Sequence, residues 1–473
     1  MLRFVDINQS YPEAREPQER RDDFKEIYER WVADIAESQA SRCSQCGIPF
    51  CQSGCPLQNN IPDWLMLAGS DRLREAYEQS SATSSMPEIC GRICPQDRLC
   101  EGACVVEKSG HGSITIGAVE KFITDTAWEE GWVEPVKPGA PRLASVGIIG
   151  SGPAGLTAAE KLREAGYEVT VYERADRAGG LLMYGIPGFK LEKDVVQRRL
   201  DRLAEGGVEF KLNCDVGRDI SFEEIRSAHH AVLIATGVYA ARQLTCPGGG
   251  GEVLPALDFL TRANRDDLGD APAADDRLSA KGKRVVVIGG GDTAMDCVRT
   301  AVRQGAESVT CLYRRNRANM PGSAREVKNA EEEGVVFEWL AAPIAIIDHS
   351  DASLSVRVQR MRLGAPDSSG RQSPEPIEGE VFDLGSDLVI SALGFEPEDL
   401  PSSFDAPELA LHRWGTVEAD RETRMTSLDG VFVAGDMYRG ASLVVWAIKD
   451  GLDAAASIEA YLENRISVLG AAE

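Results

Sequence analysis

Ala144-Ser-Val-Gly-Ile-Ile-Gly150-Ser-Gly152-Pro-Ala-Gly155 reads as a strand running directly into a glycine turn. An Ala/Leu-rich helix follows from Gly152, and Glu168-Val-Thr-Val-Tyr172 reads as a second strand, closing a βαβ unit of about 30 residues. The spacing is G-x-G-x-x-G. Its first glycine permits the tight turn, its second lets the backbone approach a pyrophosphate, and its third lets helix and strand pack closely. The anion then rests on the helix N-terminus, where free N–H groups and the dipole favour negative charge. Glu173 ends the second strand, where an acid binds ribose hydroxyls.

The pattern recurs. Arg284-Val-Val-Val-Ile288 reads as a strand, Gly289-Gly-Gly291-Asp-Thr-Ala294 as a G-x-G-x-x-A turn opening a helix near Asp292, and Ser308-Val-Thr-Cys-Leu-Tyr313 as the next strand. This second strand ends in Arg314-Arg315 rather than an acid. Guanidinium groups bind a 2′-phosphate that a carboxylate would repel, so the second site is expected to take NADPH. The first site carries further glycine turns at Gly179-Gly180 and Ala235-Thr236-Gly237, and Ala434-Gly435-Asp436 ends a strand near the C-terminus. That order suits FAD, with Asp436 reaching the ribityl hydroxyls. Two such folds in one chain suggest that one is inserted in the other, with Gly430-Val-Phe-Val-Ala-Gly-Asp436 as the first fold's returning strand. The charged stretch from Asn264 to Lys283 is expected to be a loop.

The 473 residues exceed one ordinary core. With 43% hydrophobic and 27% charged residues the composition is that of a globular protein, and the net charge of −24 disfavours nucleic acid or an anionic membrane as partner. No apolar h-region or spanning run is present, so the expected compartment is the reducing cytosol. Before the Pro/Gly-rich linker Val133 to Arg142, the chain reads as polar and helical, for example over Arg21–Ala36 and Ile61–Tyr77.

Eight of twelve cysteines fall between Cys43 and Cys104, too dense for cytosolic disulfides. Cys214, Cys246, Cys297 and Cys311 lie beyond and read as buried small hydrophobes. The dense region holds Cys43-x2-Cys46-x4-Cys51-x3-Cys55-Pro56 and Cys90-x3-Cys94-Pro95-x4-Cys100-x3-Cys104. Zinc favours paired C-x2-C knuckles, of which there is one; closely spaced thiolates with a following proline suit iron–sulfur clusters, and eight suit two [4Fe–4S] clusters. Spacing alone gives one set to each cluster, while the ferredoxin habit of lending the last cysteine to the other cluster makes a crossed assignment credible as well. No redox cysteine pair stands near the flavin fingerprint, so electrons are expected to leave through the clusters.

Arg42-Cys-Ser-Gln-Cys-Gly-Ile-Pro-Phe-Cys51, Ile61-Pro-Asp-Trp64, Cys90-Gly-Arg-Ile-Cys-Pro-Gln-Asp-Arg-Leu-Cys-Glu-Gly-Ala-Cys104, Arg317-Ala-Asn-Met-Pro-Gly322 and Glu331-Glu-Glu-Gly334 together resemble the small (β) subunit of bacterial NADPH-dependent glutamate synthase over essentially the whole chain. The N-terminal part is similar to the cluster domain of dihydropyrimidine dehydrogenase, and the remainder resembles the adrenodoxin-reductase-like fold. The resemblance implies a crossed assignment: Cys43, Cys46, Cys51 and Cys104 on one cluster, Cys55, Cys94 and Cys100 on the other. Its fourth ligand would match a glutamine of the dehydrogenase, but Gly117-Ala-Val-Glu120 offers a carboxylate here, with Cys90 the competing choice.

The expected fold is thus α/β, a helical double-cluster domain (1–140) followed by an FAD domain in two parts (141–260 and 401–473) around an inserted NADPH domain (261–400). The resemblance implies oxidation of NADPH at FAD and transfer of electrons through two [4Fe–4S] clusters to the glutamate synthase large (α) subunit, in a hetero-oligomer. There, glutamine and 2-oxoglutarate would become glutamate. This chain is not expected to do the amide chemistry, since Leu2 stands where an N-terminal nucleophile would need cysteine. A reductase for a pyrimidine dehydrogenase or a ferredoxin:NADP oxidoreductase is the alternative on the same scaffold.

Overall fold

A computed structural model describes residues 3–248, 253–271, 278–349, 353–368, 370 and 372–470, the last five by backbone alone; Leu2 lies outside them. Strands are numbered along the chain. The first group is β1 (Ser145–Ile149), β2 (Glu168–Tyr172), β3 (Glu209–Lys211), β4 (Ala231–Ile234), β5 (Ala240–Ala241) and β6 (Val253–Pro255). Next come β7 (Arg284–Ile288), β8 (Ser308–Tyr313), β9 (Val336–Trp339), β10 (Ala341–Asp348), β11 (Leu354–Pro366) and β12 (Gln372–Ser386). The last are β13 (Leu388–Ser391), β14 (Phe395–Glu396) and β15 (Val431–Val433).

The first sheet runs β15-β4-β1-β2-β3, all parallel, and the second β6-β13-β7-β8-β9, also parallel. Because β15 pairs with β4, the first fold closes only after the second is complete, which is the inserted arrangement. Val146, Ile148 and Ile149 of β1 are all buried, since helices cover both faces of a parallel sheet and its strands read as continuous apolar runs. The two connections between folds pass side by side as the antiparallel pair β5 and β14. An antiparallel sheet β10-β11-β12, not among the expected elements, is set between β9 and β13; Leu354, Val356 and Val358 alternate into its buried face.

Four expectations are corrected. Residue 260 falls inside the helix Ala256–Asp267, whose preceding strand β6 already belongs to the second sheet, so that sheet begins at Val253. The same helix takes Asn264 out of the expected loop: Asn264 is buried, and its Nδ2 donates to Leu260 O and Tyr184 O; residues 272–277 of that stretch lie outside the described residues. Arg21–Ala36 is not one helix. Helices occur at Pro17–Arg20 and Ala33–Ala40, and between them Ala14 bridges Tyr28 in an extended arm that lies against the second fold. The Ile61–Tyr77 segment forms two helices, Ile61–Ala68 and Leu73–Ser81, broken at Asp71, which has a left-handed φ of 56°.

Ion pairs lock the three parts together, and the one between Arg199 and Glu88 is buried on both sides. Arg199, from the FAD fold, donates to both carboxylate oxygens of Glu88 in the cysteine domain at 2.8 and 2.9 Å. Arg20 of the arm meets Glu332 of the second fold at 2.7 Å, and Lys190 of the first fold meets Asp296 of the second at 2.9 Å. Removing one partner of the fully buried Arg199–Glu88 pair costs about 3–5 kcal/mol, because the other charge stays behind without water. No helix of the described residues is long and apolar enough to cross a membrane.

Candidate functional site

At the carboxyl ends of β1, β2, β4 and β15 opens a cavity of about 550 Å³ lined by Gly150, Gly152, Glu173, Thr236, Gly237, Gly435 and Asp436. Gly155 lies behind it: a Cβ there would stand 2.1 Å from Gly150 O, so the helix Pro153–Glu164 can sit this close to the turn only without a side chain. A Cβ on Gly152 would meet nothing within 4 Å, leaving the helix N-terminus open to an anion. Gly180, at φ 54°, backs Gly152.

Glu173 is buried and accepts from Ser151 N at 3.1 Å, Ala175 N at 2.8 Å and the Ser151 hydroxyl. Ser151 Oγ also accepts from Gly179 N at 2.9 Å. That one hydroxyl ties the first glycine turn, the acid and the second glycine turn together, yet as the variable residue of G-x-G it carries no signal. Arg174 and Tyr239 line the same cavity, the guanidinium 4.3 Å from the ring centroid, and so does the returning segment from Glu398 to Phe404. None was foreseeable, because each acts through tertiary placement. Burial pushes the Asp436 carboxyl up to about 6, against the bond it accepts from Ser442 N. A concave site with an anion-binding turn at one end and carboxylates beyond it fits a flavin dinucleotide.

In the second fold Gly289, Gly291 and Ala294 repeat the turn. A Cβ on Gly290, between them, would lie 2.3 Å from the Tyr313 ring. Gly291 opens the helix Asp292–Arg303, and a Cβ there would meet nothing within 4 Å. Arg314 is exposed and makes no hydrogen bond or ion pair among the described residues; the half-buried Arg315 has a buried Nε without a partner. These idle guanidinium donors at the end of β8 fit a 2′-phosphate.

The thiols fall into two neighbourhoods that cut across the sequence. Burial pushes Cys43 up to about 11, and the charges acting on it are those of Cys46 and Cys104. Burial pushes Cys51 up to about 12, beside Cys43, Cys104 and Cys46. Burial likewise takes Cys55 up to about 11, but its neighbours are Cys90 and Glu120. Cys55, Cys90, Cys94, Cys100 and Glu120 line one small cavity of about 30 Å³. Among the described residues no three Cys, His, Asp or Glu side chains form a group that could hold a single metal ion; the second neighbourhood surrounds a cavity rather than a point.

Glu120 is buried, its carboxylate receives only Ser80 Oγ, at 3.1 Å, among the described residues, and burial raises it to about 8. A carboxylate so poorly supplied with donors is suited to a cation. Cys90 lines the same cavity, its Sγ 3.8 Å from Ser84 Oγ. Of the remaining cysteines, Cys297 and Cys311 are buried as expected, whereas Cys214 and Cys246 are only partly covered and Cys214 lines the large cavity.

The two cavities meet at the start of the last helix. Leu443, Val444 and Ala447 line the large one and Val445 the cysteine-lined one. Comparison with known proteins agrees with this layout. A family described as dihydropyrimidine dehydrogenase domain II, 4Fe–4S cluster, matches residues 20–132, and pyridine nucleotide-disulphide oxidoreductase matches 144–451. The glutamate synthase [NADPH] small chain of Azospirillum brasilense is 61% identical over 468 residues, covering 98% of this chain and 97% of that one. This chain belongs to the glutamate synthase [NADPH] small-chain family. The small chain of Escherichia coli K12 is 42% identical over 483 residues, covering 98% and 99%. In fold, the dinucleotide domains resemble FprA of Mycobacterium tuberculosis in complex with NADPH, with a TM-score of 0.58 at 20% identity, covering 69% of this chain and 86% of that one.

As a member of that family, the chain is an NADPH-dependent flavoprotein oxidoreductase with a 4Fe–4S module ahead of its FAD and NADPH domains. The motifs quoted for the small-chain resemblance now have physical roles. Arg42 is fully buried and donates to Ile7 O, His111 O, Gly112 O and Ser113 O, tying two loops beside Cys43. Trp64 donates to Asn59, which donates to Ser80 O and so fixes the residue that holds Glu120. Glu333 of Glu331-Glu-Glu-Gly334 is buried between Arg299 and Arg303, while Glu332 holds Arg20 of the N-terminal arm.

Proposed function

We propose that this chain is the electron-input subunit of a glutamate synthase: it oxidises NADPH and delivers electrons to a large subunit that forms glutamate from glutamine and 2-oxoglutarate. The observation carrying this is the shared wall at Val444 and Val445, which sets a flavin-sized cavity against a cysteine-lined one. FAD supplies the conversion of a hydride, two electrons at once, into electrons released singly.

The chain's own part is binding and positioning. Gly150, Gly152 and Gly155 admit the FAD pyrophosphate to the helix N-terminus, Glu173 accepts from ribose hydroxyls, and Asp436 from the ribityl chain. Gly180, Thr236, Gly237 and Gly435 shape the cavity without filling it. Gly289, Gly291 and Ala294 admit the NADPH pyrophosphate, while Arg314 and Arg315 take the 2′-phosphate. Cys43, Cys46, Cys51 and Cys104 hold one [4Fe–4S] cluster. Cys55, Cys94 and Cys100 hold the other with Glu120, a choice supported by the burial of that carboxylate beside these three thiols with Ser80 as its donor. No side-chain acid or base is needed for hydride transfer, so ring positioning decides the rate. Buried thiols raised this far hold their protons in the metal-free chain, so cluster insertion must release protons.

Protein purified without oxygen is expected to contain FAD and about eight iron and eight sulfide per chain, the content of two four-iron cubanes. NADPH should bleach its flavin, and glutamate should form only when the large subunit is added. Iron-free protein, flavin untouched by NADPH, or association with a pyrimidine-reducing partner would each overturn the proposal.

A further inference from the structure

The Cys94–Cys100 loop reaches across to the second dinucleotide fold. Gln96 is anchored at both ends: its Nε2 donates to Cys90 O at 3.2 Å and Gly91 O at 3.1 Å, and its Oε1 lies 3.4 Å from Arg325 Nη2 in the second fold. Two residues on, the Arg98 guanidinium stands 3.8 Å from the Asp292 carboxylate. Asp292 is the first residue of the helix that follows Gly291, and its other oxygen accepts from Ser323 N at 2.9 Å, which holds the neighbouring loop against the glycine turn.

Arg98 makes no side-chain hydrogen bond among the described residues, and its side chain is 45% exposed. At 3.8 Å the Asp292 contact offsets charge without filling those donors. The helix N-terminus beside it is where a dinucleotide pyrophosphate rests, and that group brings two negative charges next to the Asp292 carboxylate. In a chain of net charge −24, the guanidinium is the counter-charge this corner needs.

We propose that Arg98 is a nucleotide-binding residue supplied by the cysteine domain, donating to the NADPH pyrophosphate across the domain boundary. The inference rests on reading the second fold as the NADPH site. Arg98 differs from Arg314 and Arg315 in what it senses: the pyrophosphate is common to NADPH and NADH, the 2′-phosphate is not. It also puts the nucleotide in contact with the loop carrying Cys94 and Cys100.

The test is stopped-flow reduction of the flavin in cluster-loaded, full-length protein, with NADPH and NADH each varied to give an apparent Kd. Loss of a charge-assisted contact is worth about tenfold or more, so Arg98→Ala should raise both values by a similar factor, and Arg98→Lys should recover most of the loss. Unchanged values for both nucleotides, or a loss confined to NADPH, would overturn the proposal. Unaltered protein gives a check that does not depend on a variant folding: NADP+ and NAD+ should both protect Arg98 from phenylglyoxal, read by peptide mass spectrometry, and equal labelling with and without nucleotide counts against it. If unaltered protein is reduced by neither nucleotide, the NADPH site itself is refuted; if it is reduced normally and only the Arg98 results fail, that site stands and this residue's role does not.

Discussion

In the FAD fold, β1, its glycine turn and the helix Pro153–Glu164 follow one another without a break, and the phosphate cradle is complete within that one segment. In the N-terminal domain, Cys104 neighbours Cys43 and Cys51, while Cys55, which follows those two in the chain, shares a cavity with Cys94 and Cys100. The difference lies in how each region builds a site. A dinucleotide cradle is made of backbone, so its glycines must be consecutive along one turn. A cubane asks only for thiolates at its corners, and the fold can bring those from anywhere.

The sharpest way to break this contrast is to remove cysteines in pairs. Cys104→Ser and Cys43→Ser should abolish the same EPR signal, and Cys55→Ser should share its loss with Cys100→Ser. If Cys55→Ser instead matches Cys43→Ser, the sites follow sequence order and the contrast disappears. Glu120→Ala should disturb the Cys55 group, whereas Cys90→Ala should leave both signals in place.

How much could be read in advance follows the same division. β2, β7 and β8 were legible to the residue and β1 to within one, because buried parallel strands are short apolar runs and each glycine turn punctuates its strand. The arm before Ala33 was misread as helix, because its apolar residues pack against partners far along the chain: Phe24 meets Phe189, and the Tyr28 hydroxyl meets Asn329. Residue spacing alone left the cysteine pairing open, and the crossed reading came from family resemblance. The structure adds the physical neighbourhoods that spacing does not encode. Ser151 and Arg98 were missed for a related reason, since each matters through what the fold sets beside it.

Within the contiguous cradles the expected effects are large but graded. Gly155→Val would drive a side chain into Gly150 O, where a Cβ already comes within 2.1 Å, so the FAD fold should be recovered without flavin or not at all. Recovery with full FAD content would show that the turn can shift, and the local code would be looser than its spacing suggests. Arg314 and Arg315 are a local feature of another kind, idle donors at the end of β8. Replacing both with Ala should raise the apparent Kd for NADPH by about 100-fold, from two lost bonds to a charged group, and that for NADH by less than about threefold. Equal losses would remove the 2′-phosphate role and leave that strand end without a function.

The smallest effect tests the place where the two styles of site converge, at Asp436. This residue belongs to a contiguous strand end, but it shares its cavity with the last helix, whose first turn also walls the cysteine cavity. Burial raises its carboxyl from about 3.8 to about 6 in the flavin-free chain. A raised acid favours the protonated folded state, so this group's contribution to stability declines as pH rises from about 4 to about 6 and is constant above. Ribityl hydroxyls that donate to the ionised carboxylate reverse the preference, lowering the pKa when flavin binds. Linkage then requires FAD affinity to be greatest above pH 6 and to fall as pH drops through 6, by at most about tenfold per unit for one proton. The flavin pyrophosphate stays ionised throughout this range and adds no slope of its own. Asp436→Asn keeps an acceptor oxygen but cannot titrate, so FAD binding followed by flavin fluorescence from pH 7.5 to 5 should lose this slope in the variant. If unaltered protein shows no slope, or the Asn variant keeps it, Asp436 does not meet the flavin as an ionised acceptor.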